Sequence, residues 1–240
     1  MILQDLANTY PLGAQRPILV TEVTLMHGHV CVASIDIHTG AIARPLNSNG
    51  SNWPTQAWHR AGCMRVGNIL GVSVAGGGRS GYPHATEDMR LTGTVNTLGA
   101  LTESELYEIC VETADASVAA IYGNNLAERK YVPESTQCRS LGCVLVPIND
   151  ITVHVSFDKL RVQFRDATGA YFDPAVTEIR TRDAGNAEQQ ATALRARLQA
   201  YGNEGPIALR LGLTRAWAGP SQEFNPRRCT MQLNGIVGPA

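Results

Sequence analysis

The side chains with most capacity for chemistry in this chain are arginines and aromatic rings. Of its 20 basic residues, all but Lys130 and Lys159 are arginine. A guanidinium offers a planar fork to phosphate and stacks on rings and bases. The first concentration is residues 44–60, where Arg44 is followed by Trp53, Trp58, His59 and Arg60. Indoles in a polar loop make stacking plates, and Arg44 or Arg60 can hold a phosphate. The competing reading folds both indoles back as cover for the core. The second concentration lies in the C-terminal half. In FDKLRVQFRD, Arg161 and Arg165 share strand parity with Gln163, which predicts one common face. Arg210, Arg215 and Trp217 belong to the run ALRLGLTRAW, and Arg227-Arg228 follows the loop GPSQEFNP. The competing reading is a solvated face paired with Asp158, Asp166 and Asp173.

Other constellations are weaker. His84, Glu87 and Asp88 pair an imidazole with two carboxylates, which suits a divalent metal, an acid/base pair or a ligand contact. They also suit a structural contact in which the carboxylates meet an arginine of the other half. The segment has no nucleophile elbow and no two-histidine helix spacing. His27 and His29 flank a turn without a third metal ligand nearby. Gly76-Gly77-Gly78-Arg79-Ser80-Gly81 lacks the Lys-Ser/Thr ending of a phosphate loop and reads as a flexible loop. The six cysteines form no Cys-x-x-Cys and are expected as free, mostly buried thiols. No cofactor, metal or catalytic residue is therefore expected.

Composition sets the bounds. The chain has 240 residues, 44% hydrophobic and 17% charged, with a net charge of −1. That balance excludes a disordered chain and a protein that coats nucleic acid by bulk charge. No apolar run reaches the ~18–20 residues of a membrane span. The N-terminus carries Asp5 and no basic flank, so no secretory signal is expected and the expected location is the cytoplasm.

Most of the chain reads as strands. Residues 17–26, 29–37 and 41–46 are β-branched runs separated by short turns, a three-strand meander. Further strands are expected at 64–75, 89–96, 116–122, 141–147, 150–157, 159–166, 170–180, 206–217 and 229–237. Two helices interrupt them. Thr102 and Glu105 form a capping box ahead of Leu106, Ile109 and Cys110, giving a helix near 102–113. Ala187, Ala191, Leu194, Leu198 and Tyr201 make one stripe over 186–201, closed by Gly202.

The two halves echo one another. IDIHTGAIARP at 35–45 aligns with FRDATGAYFDP at 164–174, sharing Thr, Gly, Ala and Pro at one offset. LGVSVAG at 70–76 answers LGLTRAWAG at 211–219 more loosely. Two unrelated hairpins would also produce such matches. A duplicated barrel places Arg44-Pro45 opposite Asp173-Pro174, a reversal that leaves only one barrel using the position for phosphate. The expected architecture is mainly β: two tandem OB-like β-barrels with one or two short helices. The first spans 1–130 with a capping helix near 102–113, and the second spans 131–240 with a helix near 186–201.

The segments HVCVASIDIHTGAIARPL, PHATEDMRLTG, SLGCVLV, ALRLGLTRAW and RRCTMQLNGIV together resemble the prokaryotic dual OB domain-containing proteins. The likeness runs from about 17 to 238. Ser34 stands where the family pattern has glycine. The resemblance implies two OB barrels, nucleic-acid binding, and a setting beside mobile-element or phage-defence genes. It carries over no catalytic residue. An OB barrel binds single strands with basic side chains on phosphates and rings on bases, usually across its second and third strands. The expected function is thus a non-catalytic accessory module preferring single-stranded DNA or RNA, within an anti-phage or mobile-element system. The alternative is a scaffold that docks an ATPase or nuclease without touching nucleic acid. A third reading is a nucleotide- or nucleic-acid-processing enzyme built on His84, Glu87 and Asp88. No membrane partner is expected.

Overall fold

The computed structural model describes every residue except Met1, His27, Arg60, Ala61, residues 78–80, Tyr82, Asn203 and Ala240. The described residues form two compact units. One holds those of 1–79 and 87–113, the other those of 80–86 and 114–240. The sequence reading put the junction at 130/131. By packing, residues 114–130 belong with the second unit, because Asp115 bonds to Cys143 of that unit and Val118 N–H donates to Asp166 there.

The first unit contains α1 (Ile2–Thr9), β1 (Arg16–Met26), β2 (His29–Asp36), β3 (Ile42–Leu46), the short β4 (Trp53–Pro54), β5 (Asn68–Gly77), β6 (Asp88–Ala100) and α2 (Glu103–Glu112). β1 pairs with β2, β2 with β3, β6 with β5 and β5 with β1, all antiparallel, while β3 and β6 run parallel. The circuit closes, which leaves no edge along these pairings and makes a five-stranded barrel. Its wall is β-branched, as strand propensity demands. Ile18, Val23, Val30, Val32, Ile35, Ile69 and Val72 are all buried in it. Thr102 caps α2 through the reciprocal bonds with Glu105 that the sequence implied.

The second unit contains α3 (Val118–Tyr122), β7 (Tyr131–Pro133), β8 (Leu141–Val146), β9 (Ile151–Ser156), β10 (Lys159–Arg165), β11 (Tyr171–Phe172), β12 (Ala175–Val176), α4 (Ile179–Arg182), α5 (Ala187–Tyr201), β13 (Ile207–Leu213) and β14 (Arg228–Val237). Its curled sheet runs β9–β10–β12–β14–β13–β8, with β11 on β10 and β7 on β14. β12 and β14 are the parallel pair, the counterpart of β3 and β6. The two ends of the sheet, β8 and β9, are consecutive in the chain and joined through Pro147 and a tight turn at Ile148–Asp150. The stripe of α5 is buried at Ala191, Leu194, Leu198 and Tyr201, and Asn186 with Gln189 caps its start.

Both echoes fall on equivalent places. The Thr-Gly turns each join the second strand to the third. Asp36 Oδ1 accepts from Thr39 N at 2.8 Å and Thr39 Oγ1 at 2.9 Å, and Gly40 has φ +69°. Asp166 Oδ1 accepts from Thr168 N at 3.0 Å and Thr168 Oγ1 at 2.6 Å, and Gly169 has φ +80°. Glycine is required there because the backbone is left-handed. The looser echo lies on β5 and on the run from β13, the fourth strand of each unit.

Two local expectations differ. Residues 116–122, read as a strand, form α3. Ser117 caps it by accepting from Ala120 N, and Val118, Ile121 and Tyr122 are its buried face. Residues 170–180 are not one strand. Pro174 separates β11 from β12, and the chain then turns into α4. That turn is fixed by Glu178, 1% exposed, which accepts from Arg197 Nη2 at 2.5 Å, Arg180 Nη2 at 3.0 Å and Ile236 N at 3.3 Å. Thr181 Oγ1 donates to it as well. Burial pushes the Glu178 carboxyl up, but the charges of Arg197 and Arg180 together with hydrogen bonds from Arg197 and Thr181 hold it below the usual glutamate range.

Candidate nucleic-acid interface

β10 alternates strictly. Leu160, Val162 and Phe164 point into the core, while Lys159, Arg161, Gln163 and Arg165 face outward. Arg161 and Arg165 therefore share the face that their spacing implied. Arg161 lies opposite His154 on β9 and Ala175 on β12, and Ala175 lies opposite Gln232 on β14. From that row, moving four residues forward on β10 reaches Arg165. Moving four residues back on β14 reaches Arg228. β10 and β14 run antiparallel, so both steps go the same way, about 13 Å at ~3.3 Å per residue. Arg228, like Gln232, alternates with the buried Cys229, Met231 and Leu233. The two side chains thus face outward from β10 and β14, strands that β12 joins.

Rings accompany them. The Arg165 guanidinium lies 5.5 Å from the Tyr171 ring. Arg228 lies 4.2 Å from the Tyr131 ring and 3.9 Å from the Phe224 ring. Trp217 meets Phe224 edge-on at 5.7 Å and is 53% exposed. Reciprocal backbone bonds between Trp217 and Arg228, at 3.0 and 2.9 Å, close the loop that carries Phe224. No carboxylate among the described residues lies within ion-pair distance of Arg165 or Arg228. Their neighbours are compensated: Arg161 Nε and His154 Nε2 both donate to Asp173, at 2.8 and 2.9 Å, and Arg227 pairs with Glu134. Arg215 is exposed on the segment before Trp217. A cation resting on a ring, with water rather than a carboxylate for company, can exchange that water for phosphate.

The first concentration of candidates is built differently. Arg44 is 1% exposed and its Nη1 donates to Asp88 Oδ1 at 2.8 Å. A buried, paired guanidinium cannot reach a polyanion, so the phosphate role expected of Arg44 is withdrawn. Arg210, 0% exposed inside β13, is withdrawn because its burial keeps it from a polyanion. The comparison of Arg44 with Asp173 fails too: each serves a local ion pair. Trp53 is half-buried and its Nε1 donates to Pro45 O at 2.8 Å, the folding-back that the sequence left open. Trp58 is half-buried, with the exposed His59 ring edge-on at 5.3 Å. Arg60, His27 and residues 78–80 lie outside the described residues.

Two of the residues read as an acid/base or metal group have partners elsewhere. His84 Nδ1 donates to Leu213 O at 2.9 Å within the second unit, and Asp88 is held by Arg44 within the first. The arginine that meets Asp88 is in its own half of the chain. Among the described residues no three His, Cys, Asp or Glu are grouped to hold a metal ion. The cysteines are free, and burial pushes the Cys229 thiol up to about 11. No helix of the described residues is long and apolar enough to cross a membrane. Sequence reasoning missed Tyr131, Tyr171, Phe224 and Phe157. The alternation after the Thr-Gly turn marks Tyr171 as outward. Phe224 was hidden in a segment that reads as flexible loop.

The model of the dual OB-containing domain matches residues 17–229. The chain belongs to the dual OB-containing domain family. In this dual OB protein, β2 and β3 are the second and third strands of the first unit, and β10 with β11–β12 those of the second. The ring-bearing arginine Arg165 thus lies on the face where OB barrels usually take ligands. No curated protein matches the chain in sequence. A solved structure described as a murine DNA binding protein bound with double-stranded DNA covers 93% of this chain and 95% of its own, at 8% identity and a TM-score of 0.30. A likeness at that level carries no argument.

Proposed function

We propose that this dual OB protein binds single-stranded nucleic acid across the outer face of its second unit, without catalysis. The observation that carries the reading is the pair Arg165 and Arg228: both guanidiniums rest on rings, and no described carboxylate neutralises either. Trp217 and Phe224 extend the same face as stacking surfaces. Base–aromatic stacking contributes about 1–3 kcal/mol per base and needs bases that are free to leave a duplex, which favours single strands. With a net charge of −1 the chain lacks a general cationic field, so affinity rests on this face and stays modest. The module is read as accessory, serving a larger anti-phage or mobile-element assembly in the cytoplasm. That setting rests on the family resemblance alone.

The test is a fluorescence-anisotropy titration with labelled 20-mers of single-stranded DNA, single-stranded RNA and duplex DNA at two salt concentrations. Single strands are expected to bind at least fivefold more tightly than duplex, with affinity falling as salt rises. No binding by any of them at low salt would sink the reading and favour docking of a protein partner.

A further inference from the structure

Phe157 is 94% exposed at the tip of the β9–β10 hairpin. The turn has two residues, Phe157 and Asp158, between the paired Ser156 and Lys159. Both are left-handed, with φ +51° and +55°. Glycine and asparagine favour such positions, and a bulky side chain is disfavoured there. The ring therefore sits where its backbone is strained and where burial contributes nothing. A second segment, Glu128–Arg129, also has two left-handed residues, but its side chains are charged and solvated. Phe157 has no such compensation. Strain of this kind, held by the six-pair ladder behind it, points to a role outside folding.

Its surroundings indicate the ligand. The hairpin carries Lys159, Arg161 and Arg165 outward on β10, so the ring stands at one end of the face described above. From Lys159 to Arg165 that face runs about 20 Å. Tyr131 and Phe224 each have a face against Arg228, and Tyr171 has Arg165 beside it. Phe157 leaves both faces open. A ring with two open faces on a stiff hairpin fits between two bases rather than beneath one.

We propose that Phe157 is an intercalating side chain, entering between two successive bases of the bound strand and fixing that end of its path while Lys159 meets the adjoining phosphate. The proposal rests on the single-strand reading. It is tested by titrating wild type, Phe157→Asn and Phe157→Tyr with a single-stranded 20-mer containing two adjacent 2-aminopurines. Wild type is expected to raise the emission by unstacking the pair. Phe157→Asn is expected to bind about tenfold more weakly, to lose the emission rise, and to melt no lower than wild type because asparagine tolerates the turn. Phe157→Tyr is expected to retain both signals. Binding by Phe157→Asn within twofold of wild type, or an unchanged emission rise, overturns the proposal. If Trp217→Ala weakens binding in that case, the single-strand reading survives alone. Wild type that binds no oligonucleotide overturns both.

Discussion

In the first unit Arg16 pairs with Asp36 and Arg44 with Asp88, and both carboxylates are buried. In the second unit Arg165 and Arg228 lie on rings at the surface. The strand order and the Thr-Gly turn are shared, although the first sheet closes and the second curls as a half-barrel. A charge removed from water must find a partner, and once it has one it is no longer available to a ligand. The first unit commits Arg16 and Arg44 to buried carboxylates. The second keeps such a latch at Glu178 and rests Arg165 and Arg228 on rings of its outer face. The proposed binding face therefore belongs to the second unit.

The largest expected effects break the latches. Asp88→Ala leaves Arg44 buried without its carboxylate, and Glu178→Ala removes the buried acceptor shared by Arg180, Arg197, Thr181 and the Ile236 N–H. Each is expected to cost about 3–5 kcal/mol, read by chemical denaturation. Affinity of the folded fraction of Asp88→Ala should stay within twofold of wild type. A fall comparable to that of a surface arginine variant would erase the contrast between units.

Acid sharpens the same contrast. The folded-state pKa of Glu178 is depressed, so its stabilisation is complete above the ordinary glutamate value of 4.5 and is lost as pH falls through the folded value. Asp36 behaves alike. Burial raises its carboxyl, but bonds from Arg16 and Thr39 and the Arg16 charge hold it below the ordinary 3.8. Stability should be level above about pH 5 and decline below pH 4.5. Glu178→Gln should flatten that decline. An unchanged slope would mean that the carboxylate is not the acid-sensitive latch.

Two further effects are smaller. Arg228→Ala should weaken single-strand binding about tenfold and reduce the salt slope by about 0.7, with a modest loss of stability from the ring contacts. Arg161→Ala should weaken it less than threefold, because Asp173 already holds that guanidinium. Equal losses would show that ion pairing does not decide which arginines serve the ligand.

Much of the fold was legible because its signals are local. The capping box at Thr102, the apolar stripe of 186–201, the Thr-Gly turns and the alternation of β10 all read directly from neighbours in sequence. The parity of Arg161 with Arg165 followed from that alternation. Burial did not, because it depends on partners far along the chain. Arg44 looks like Arg165 until Asp88, 44 residues on, is placed beside it. Arg210 is hidden by the strands on either side of β13. Residues 116–122 were misread because a short buried run fits a strand or a helix until its cap is recognised. Phe157 escaped notice because 150–157 reads as one strand, and the exposure of its ring is a property of the hairpin turn.

The account depends on the outer face of the second unit exchanging water for phosphate. The direct measurement is a salt-dependent anisotropy titration of wild type and Arg165→Ala/Arg228→Ala on one single-stranded 20-mer, with thermal melting of both. The predicted result is a loss of at least about thirtyfold in affinity, and a log–log salt slope smaller by about 1.4, from a protein that still melts cooperatively. Equal affinity and an equal slope for the two proteins would contradict it.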